Sequence, residues 1–273
     1  MQCEAGGCHP SVQKLVCSDA VMSSVIIVVP CYNEAARLQV QTFKAFTCEQ
    51  HFLRFLFVND GSIDDTWKVL QALHASDTQR LAIYELPKNA GKAEAVRQGV
   101  LRAFEIGADY VGYWDADLAT PLEAIPFFCD LLDLTPHLLI VFGARVRLLG
   151  RTIERRATRH YLGRVFATAA SLVLGIAIYD TQCGAKLFRT SPEVQALFQQ
   201  PFATRWLFDV EILARWIQAG RGGKLRSIED IVYEFPLHQW CDVPGSKVKP
   251  GDFVKAFCGL SLIYWRYIRR HGK

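Results

Sequence analysis

Ser24-Val-Ile-Ile-Val-Val-Pro-Cys-Tyr-Asn-Glu34 is a run of β-branched residues that ends in a polar cluster. Such a run is typical of a strand that is buried on both faces of a parallel sheet. Further strands are predicted at Leu53–Val58, Leu81–Leu86, Asp109–Trp114, Leu138–Phe142 and Ile231–Phe235. From residue 24 to residue 143 the strands alternate with segments of helical spacing. This alternation predicts an α/β fold, with a mostly parallel central sheet flanked by helices.

The predicted helices follow from caps and from apolar spacing. Asn33 is the predicted cap of the first helix, whose buried side would carry Leu38, Phe43 and Phe46. A second helix is predicted to start near Asp64. Further helices are predicted at Lys92–Ile106, Arg155–Leu174 and Leu207–Ala219. The segment around Gly184 is predicted to be a glycine-rich turn.

Length and composition limit the class of protein. The 273 residues suffice for one α/β domain with a large core, and 51% hydrophobic with 21% charged residues is a globular composition. The net charge of +4 gives no reason to expect a nucleic-acid partner. The sequence has nine cysteines and no CxxC pair, so zinc-ribbon and thioredoxin-like motifs have no support. Scattered thiols of this kind are typical of a protein in a reducing cytosol.

Three segments are predicted along the chain. Residues 1–22 are expected to be a loose leader without a signal peptide, residues 23–250 the main domain, and residues 251–273 a basic, aromatic C-terminal helix. The weakly polar stretch Val165–Tyr179 is shorter than the ~20 residues that span a bilayer. We therefore expect a cytoplasmic protein, peripheral at a membrane surface if its tail binds lipid headgroups. The alternative for the tail is an amphipathic helix packed on the domain.

Three polar clusters follow predicted strands, at Pro30–Glu34, Asn59–Ser62 and Asp115–Asp117. Ligands of parallel sheets bind beyond the carboxyl ends of the strands. The paired acids Asp115 and Asp117 are typical of a site for a hard divalent cation with substrate phosphates. Asp60 suits a base or ribose donor, and Lys92 beside a glycine at a helix start suits an anion. The sequence has neither a GxGxxG motif after the first strand nor a GxxxxGK[ST] motif anywhere. This counts against both dinucleotide-dependent oxidation and P-loop phosphoryl transfer.

The segment from Arg145 to Arg164 has the strongest charge asymmetry, with seven arginines and one acid, Glu154. Arginines hold phosphate through paired hydrogen bonds, so this cluster predicts a phosphate site. A solvated or membrane-facing basic helix remains the alternative.

Together, the motifs Val29-Pro-Cys-Tyr-Asn-Glu34, Val58-Asn-Asp-Gly-Ser62, Asn89-Ala-Gly-Lys92 and Asp115-Ala-Asp-Leu118 resemble family 2 inverting glycosyltransferases of the GT-A fold. The stretches Asp180–Phe188, Trp206–Leu213 and Val243–Val248 narrow the resemblance to dolichyl-phosphate β-glucosyltransferases and their polyprenyl-phosphate relatives. The resemblance covers roughly residues 24–250. It implies a UDP-glucose donor, a polyprenyl- or dolichyl-phosphate acceptor, and Mg²⁺ or Mn²⁺.

The resemblance also assigns residues to roles. The nucleotide would be held by Pro30, Tyr32, Glu34, Asp60, Lys92 and Asp115. The metal would be held by Asp115 and Asp117. The acceptor phosphate would be held by Arg145, Arg159, Lys186 and Lys247. The residues expected to be catalytic are Asp117, Arg145 and Asp209, the last as a base if the acceptor were a hydroxyl.

Two departures from the family pattern bear on these expectations. Ala119 stands where some mannose synthases have a glutamine ligand, so water or phosphate would complete the metal coordination. Glucosyl members tend to carry a membrane-spanning segment near the amino end, and no such segment is expected in this sequence. The resemblance therefore leaves open which acceptor the chain uses. The alternatives are a soluble transferase that acts on a saccharide or protein hydroxyl, a non-catalytic nucleotide-sugar-binding protein, and a nucleotidyltransferase. The last would need a glycine-rich basic loop after the first strand, where Cys31–Glu34 stands.

Overall fold

The structure, a computed structural model, describes residues 23–155, 157–223, 225–243 and 251–269, without the side chains of residues 157, 159 and 251–254. Its strands are β1 (Val25–Cys31), β2 (Leu53–Asn59), β3 (Leu81–Glu85), β4 (Tyr110–Trp114), β5 (Ile140–Ala144), β6 (Thr152–Glu154), β7 (Ala185–Arg189), β8 (Val232–Pro236) and β9 (Gln239–Cys241). Seven of these described strands form one sheet in the order β3-β2-β1-β4-β7-β5-β8. Only β7 runs antiparallel to its neighbours within this sheet. The predicted α/β fold with a mostly parallel sheet is confirmed.

Helices cover both faces of the sheet, and a small parallel pair, β6 and β9, lies apart from it. The helices are α1 (Val40–Glu49), α2 (Thr66–Ser76), α3 (Lys92–Glu105), α4 (Ala124–Leu134), α5 (Ala157–Leu174), α6 (Pro192–Gln199), α7 (Phe208–Ala219), α8 (Ile228–Ile231) and α9 (Gly251–Ile263), with a π-helical turn at Tyr264–Ile268. Among the described helices, none has both the length and the apolar character needed to cross a membrane.

The core consists of two layers because successive side chains of a strand point to opposite faces of a sheet. Ile26 and Val28 of β1 belong to the layer that includes α3, α5, α6, α7 and α9. Val25, Ile27 and Val29 belong to the layer that includes α1, α2 and α4. The continuous apolar run at the start of the chain is therefore buried on both sides, as its composition predicts.

The structure also departs from the elements that the sequence predicts. The first helix begins at Val40 rather than after Asn33. Asn33 instead adopts a left-handed backbone with φ of 51°, and its side chain accepts a hydrogen bond from Ile63 N at 3.0 Å. It thus ties the loop after β1 to the loop after β2. Strand β7 was missed because Lys186 interrupts its apolar pattern, although that lysine is fully buried in the sheet.

Candidate active site

The polar clusters predicted from sequence lie at one edge of the sheet, where β1, β2 and β4 end. Because β7 is antiparallel, it begins rather than ends at this edge. Its preceding segment, residues 180–184 (the 180–184 loop), therefore reaches the end of β4. Asp115 N donates a hydrogen bond to Gly184 O at 2.9 Å. The sheet topology thus adds a fourth segment to the three that the sequence predicts.

Asp60 joins two loops of the predicted nucleotide site. Its buried carboxylate accepts hydrogen bonds from Ala90 N at 2.7 Å, Gly91 N at 2.9 Å and Asn89 Nδ2 at 3.0 Å. Burial raises the pKa of Asp60, and the two backbone donors oppose that shift. Gly91 has a φ of 97°, a backbone that suits glycine. This carboxylate therefore orders the loop before α3, whether or not it also contacts a base.

The predicted residues of the loop after β1 lie beside this junction. Pro30 is in β1 and Tyr32 follows it, both half-buried. Glu34 is buried and forms a two-point ion pair with Arg37, at 2.9 and 2.6 Å. The charge of Glu34 is thus already matched by Arg37, which sequence reasoning did not identify.

Asp115 and Asp117 form the acidic pair of the site. Burial, and then the negative charge of Asp115, raise the pKa of Asp117. Lys92 Nζ lies 2.5 Å from Asp115 Oδ1. Burial lowers the pKa of Lys92, but the charges of Asp115 and Asp209 outweigh it and the net shift is upward. The pair therefore lies in a field that favours a positive charge, and here the ammonium of Lys92 provides it.

The surroundings of this pair fit a divalent cation. A Cβ added to Gly184 would lie 1.9 Å from Asp115 Oδ2, so the absence of a side chain there makes room for the carboxylate. The described part of the chain has no metal site built from three or more His, Cys, Asp or Glu side chains. One or two carboxylates plus substrate phosphates is the usual Mg²⁺ arrangement, and the pair matches it.

A buried ion pair lies behind the acidic pair. Lys186 Nζ is 3.0 Å from Asp209 Oδ1 and donates to Thr181 O at 3.1 Å and Cys183 O at 2.6 Å. The Tyr113 hydroxyl donates to the same carboxylate. Burial, and then the charge of Asp209, raise the pKa of Tyr113 well above its ordinary value.

These contacts bear on two predicted roles. Lys186 is fully buried and its ammonium contacts Asp209 and two loop carbonyls, so it does not reach an acceptor phosphate here. Asp209 is buried, and its carboxylate pairs with the Lys186 ammonium and accepts a hydrogen bond from the Tyr113 hydroxyl. In this arrangement the carboxylate is not available as a general base. Lys186 holds the 180–184 loop, and Asp209 holds Lys186.

Arg145 follows β5 and pairs with Asp180 of the same loop. Its Nε and Nη2 atoms contact the two carboxylate oxygens at 2.6 and 2.8 Å. Although burial would raise the pKa of Asp180, the charge of Arg145 and its hydrogen bonds lower that pKa to about 2. The backbone amides of Tyr179 and Asp180 donate to Glu234 of β8, each at 2.7 Å. Arg145 is thus held in a fixed position.

A small cavity lies beside this pair and is lined by three arginines, which we call the arginine cavity. Its lining includes Arg145, Arg155, Arg164, Asp180, Thr181 and Gln182. Burial, and then the charge of Arg145, lower the pKa of Arg155 to about 10. Three guanidinium groups against one carboxylate leave a positive excess. The cavity therefore suits a multiply charged anion.

Two polar atoms lack a partner at this cavity. Thr181 Oγ1 and Gln182 Nε2 are buried, and neither forms a hydrogen bond within the part of the chain that the structure describes. Buried polar groups normally have partners, so these atoms indicate a ligand or water in the cavity.

The structure leaves some predicted residues outside its description and adds others. Lys247 lies outside the described residues, as does the side chain of Arg159. Sequence reasoning missed Thr181 and Gln182 as cavity residues, although it singled out their motif. It also missed Tyr113, which reads as a core residue of β4. The excess of arginines was the signal that located Arg155 and Arg164.

Comparison with known proteins identifies related sequences. Residues 26–194 match the glycosyl transferase family 2 domain. The chain is 30% identical over 263 residues to dolichyl-phosphate β-glucosyltransferase of Saccharomyces cerevisiae, covering 89% of this chain and 74% of that protein. It is 31% identical to the human protein of that name, covering 92% of this chain and 78% of that protein.

Solved structures confirm the predicted GT-A fold. Glucosyl-3-phosphoglycerate synthase of Mycobacterium tuberculosis, solved with Mn²⁺, UDP-glucose and phosphoglyceric acid, superposes with a TM-score of 0.63 at 16% identity. The match covers 92% of this chain and 82% of that one. A structure of the same enzyme with Mg²⁺ and UDP gives a TM-score of 0.62 at 17% identity, with the same coverage of both chains.

Proposed function

The chain belongs to glycosyl transferase family 2, and on that premise we propose that it transfers glucose from UDP-glucose, with inversion, to the phosphate of a polyprenyl or dolichyl lipid. The names of its curated relatives support this donor and this acceptor. The observation that carries the proposal is the arginine cavity, because its positive excess suits a phosphate. The 180–184 loop joins this cavity to Asp115, so donor and acceptor sites would be neighbours.

In this reaction one oxygen of the acceptor phosphate attacks the anomeric carbon of glucose. The bond from that carbon to the donor diphosphate breaks, and UDP leaves with the electron pair. A phosphate monoester has a second pKa of about 6 and is already an anion at neutral pH. It needs orientation rather than a general base, which agrees with the matched, buried state of Asp209. Arg155 and Arg164 would provide that orientation.

Asp115 and Asp117 would hold Mg²⁺ or Mn²⁺ together with the donor diphosphate. A bound divalent cation stabilises the negative charge that develops on a leaving diphosphate. Lys92 would also bind the diphosphate, because it already lies against Asp115 at the start of α3. Asp60 would order the loop that precedes Lys92, and Pro30, Tyr32 and Glu34 would border the nucleotide.

We also propose that the reaction takes place at the cytoplasmic face of a membrane. A polyprenyl phosphate keeps its chain in the bilayer and its phosphate at the surface. Among the cysteines in the described part of the chain, Cys129 and Cys183 are buried free thiols. Free thiols fit a reducing compartment.

The test is a product assay with several nucleotide sugars and several polyprenyl phosphates, with and without EDTA. We expect UDP-glucose to yield a polyprenyl glucosyl phosphate, and we expect EDTA to abolish this product. Asp115→Asn and Asp117→Asn should each lower kcat by about a hundredfold or more, because they remove charge that acts at the transition state. Asp65→Asn is the control, since Asp65 is an exposed acid that pairs only with Lys68 among the contacts described.

The alternatives give different results in this assay. A transferase for a saccharide or protein hydroxyl would use UDP-glucose without lipid phosphate. A non-catalytic binding protein would bind UDP-glucose and form no product. Full turnover by both Asp115→Asn and Asp117→Asn would contradict the proposed metal site.

A further inference from the structure

The turn before α3 is contacted on its solvent side by an arginine that has no role in the site so far. Asn89 of this turn donates from Nδ2 to Asp60 Oδ2 at 3.0 Å, and its Oδ1 accepts from Arg205 Nη2 at 2.8 Å. A carboxylate accepts hydrogen bonds and a guanidinium only donates them, so the two partners determine the orientation of the Asn89 amide. A buried acid and an exposed arginine are thus joined through one neutral side chain.

Arg205 also packs directly on Gly91 of the same turn. A Cβ added to Gly91 would lie 2.8 Å from Arg205 Nε and 3.4 Å from Arg205 Nη2, so a side chain there would displace the guanidinium. In addition, Arg205 O accepts a hydrogen bond from Ala93 N at 3.3 Å. Lys92 lies between Gly91 and Ala93 in the sequence, so Arg205 contacts the residues on both sides of it.

The backbone that carries Arg205 is itself anchored. Glu211 of α7 is fully buried, and its carboxylate accepts from Ala203 N at 2.9 Å and from Thr204 N at 3.3 Å. On the other side of Arg205, Leu207 is buried in the core layer that includes α7. An anchored backbone lowers the entropy that a long side chain loses when it forms a contact. Arg205 is therefore better placed to hold the turn than an ordinary exposed arginine.

We propose that Arg205 is a positioning residue of the donor site, and that it acts through Asn89 and Gly91 to hold Lys92 where a nucleoside diphosphate would bind. Asp60 fixes the amides of the turn from the buried side, and Arg205 closes the turn from the solvent side. Gly91 has a φ of 97° and more backbone freedom than other residues, so contacts from outside keep the turn in one conformation. The link to the diphosphate rests on the proposed function, whereas the hold on the turn does not.

The first experiment measures amide hydrogen exchange in the turn, in the full chain without nucleotide. Arg205→Met keeps a long side chain that cannot donate a hydrogen bond, and it leaves the backbone contact with Ala93 in place. The amides of Ala90 and Gly91, which donate to Asp60, should then exchange about fivefold faster, since one hydrogen bond that supports the turn is lost.

Arg102→Met is the matched control for this measurement. Arg102 is an exposed arginine in the last turn of the same helix, α3, and its guanidinium lies 3.6 Å from the centroid of the Tyr84 ring. Its replacement removes the same charge from the opposite end of the helix. Exchange at Ala90 and Gly91 should therefore match that of the unmodified chain.

The second experiment measures UDP binding in the presence of Mn²⁺, together with steady-state kinetics. Arg205→Met should raise the Kd for UDP and the KM for UDP-glucose by about fivefold, and leave the KM for the lipid phosphate unchanged. A residue that only supported the overall fold would affect both substrates alike. A double-mutant cycle with Asn89→Ala distinguishes positioning from direct contact with the nucleotide. If Arg205 acts through Asn89, the second substitution adds little to the loss caused by the first.

Each outcome bears on the proposal. Unchanged exchange at Ala90 and Gly91 in Arg205→Met, or equal acceleration in Arg102→Met, would overturn it. Fully additive losses in the double-mutant cycle would also overturn it, because Arg205 would then bind the nucleotide itself. If the unmodified chain neither binds UDP nor uses UDP-glucose while Arg205→Met still speeds exchange, the proposed function fails and the hold of Arg205 on the turn stands.

Discussion

At the scale of single residues, Gly184 limits the position of Asp115. A side chain at residue 184 would overlap the Asp115 carboxylate, and Gly184 O already accepts the Asp115 amide hydrogen. Any substituent must therefore move the carboxylate or the loop. The position of one metal-ligand candidate thus depends on a residue that carries no functional group.

Replacing Gly184 with alanine should consequently impair transfer more than stability. A carboxylate displaced by about 1 Å can lower kcat by roughly a hundredfold. The measurement is initial rates together with Mn²⁺ affinity. Gly220→Ala is the control, because the nearest atom to its added Cβ is 3.4 Å away and its φ is −74°. Unchanged rates in Gly184→Ala would contradict this account of the site.

The pair of Asp180 and Arg145 should also contribute to stability in a pH-dependent way. Asp180 has a lowered pKa of about 2, against an ordinary value of 3.8. Its contribution is therefore complete above about pH 4 and is lost as the pH falls toward 2. Asp180→Asn should lower the free energy of unfolding at pH 7 by about 2 kcal/mol.

Urea unfolding from pH 7 down to pH 3 measures this effect. The difference between Asp180→Asn and the unmodified chain should narrow as the solution becomes more acidic. A difference that stays constant across this range would show that the stability does not come from the ionised carboxylate.

At the scale of elements, one buried acid fastens the C-terminal helix to the domain. Glu211 of α7 is fully buried and accepts from the Tyr267 hydroxyl at 2.7 Å. It also accepts from Arg215 at 2.8 Å and from Ala203 N at 2.9 Å. The π-helical turn that follows α9 is thus held to α7 by a polar contact inside an apolar layer.

Tyr267→Phe should therefore loosen α9. The loss of one hydrogen bond to a buried charged acceptor is expected to cost about 1.5–3 kcal/mol. Hydrogen exchange over residues 255–268 and urea unfolding measure the local and global effects. Tyr264→Phe, at a 41% exposed tyrosine of the same turn, should change neither. Similar exchange rates in both variants would mean that apolar packing alone holds the helix.

Some elements were predictable from the sequence and others were not, for physical reasons. The strands β1, β2 and β4 have uninterrupted apolar runs, and the carboxyl ends of parallel strands share an edge, so the three polar clusters were placed correctly. Strand β7 was missed because the burial of Lys186 depends on Asp209, which is 23 residues away in the sequence. The 180–184 loop was therefore not placed beside Asp115 and Arg145, since only the antiparallel direction of β7 brings it there.

At the scale of the whole molecule, the 180–184 loop joins the two halves of the site. Gly184 contacts Asp115 on the proposed donor side, and Asp180 holds Arg145 on the proposed acceptor side. Between them, Lys186 binds the carbonyls of Thr181 and Cys183. The buried pair of Lys186 and Asp209 thus fixes the one loop that contacts both Asp115 and Arg145.

Replacing both members of this pair should affect both substrates. Lys186→Met alone leaves Asp209 buried without its cation and should cost about 3–5 kcal/mol of stability. Adding Asp209→Asn should recover most of that loss, because the amide oxygen still accepts from Tyr113. The double variant is expected to raise KM for donor and acceptor alike, since the loop carbonyls have lost their donor.

Arg164→Gln provides the comparison, because Arg164 lines the arginine cavity and its replacement should raise KM for the lipid phosphate alone. Steady-state kinetics with each substrate varied in turn separate these two patterns. A double variant that folds and keeps both KM values would show that the loop stays in place without Lys186. A rise for one substrate only would mean that the loop serves one half of the site, and the coupling inferred from its contacts would then be wrong.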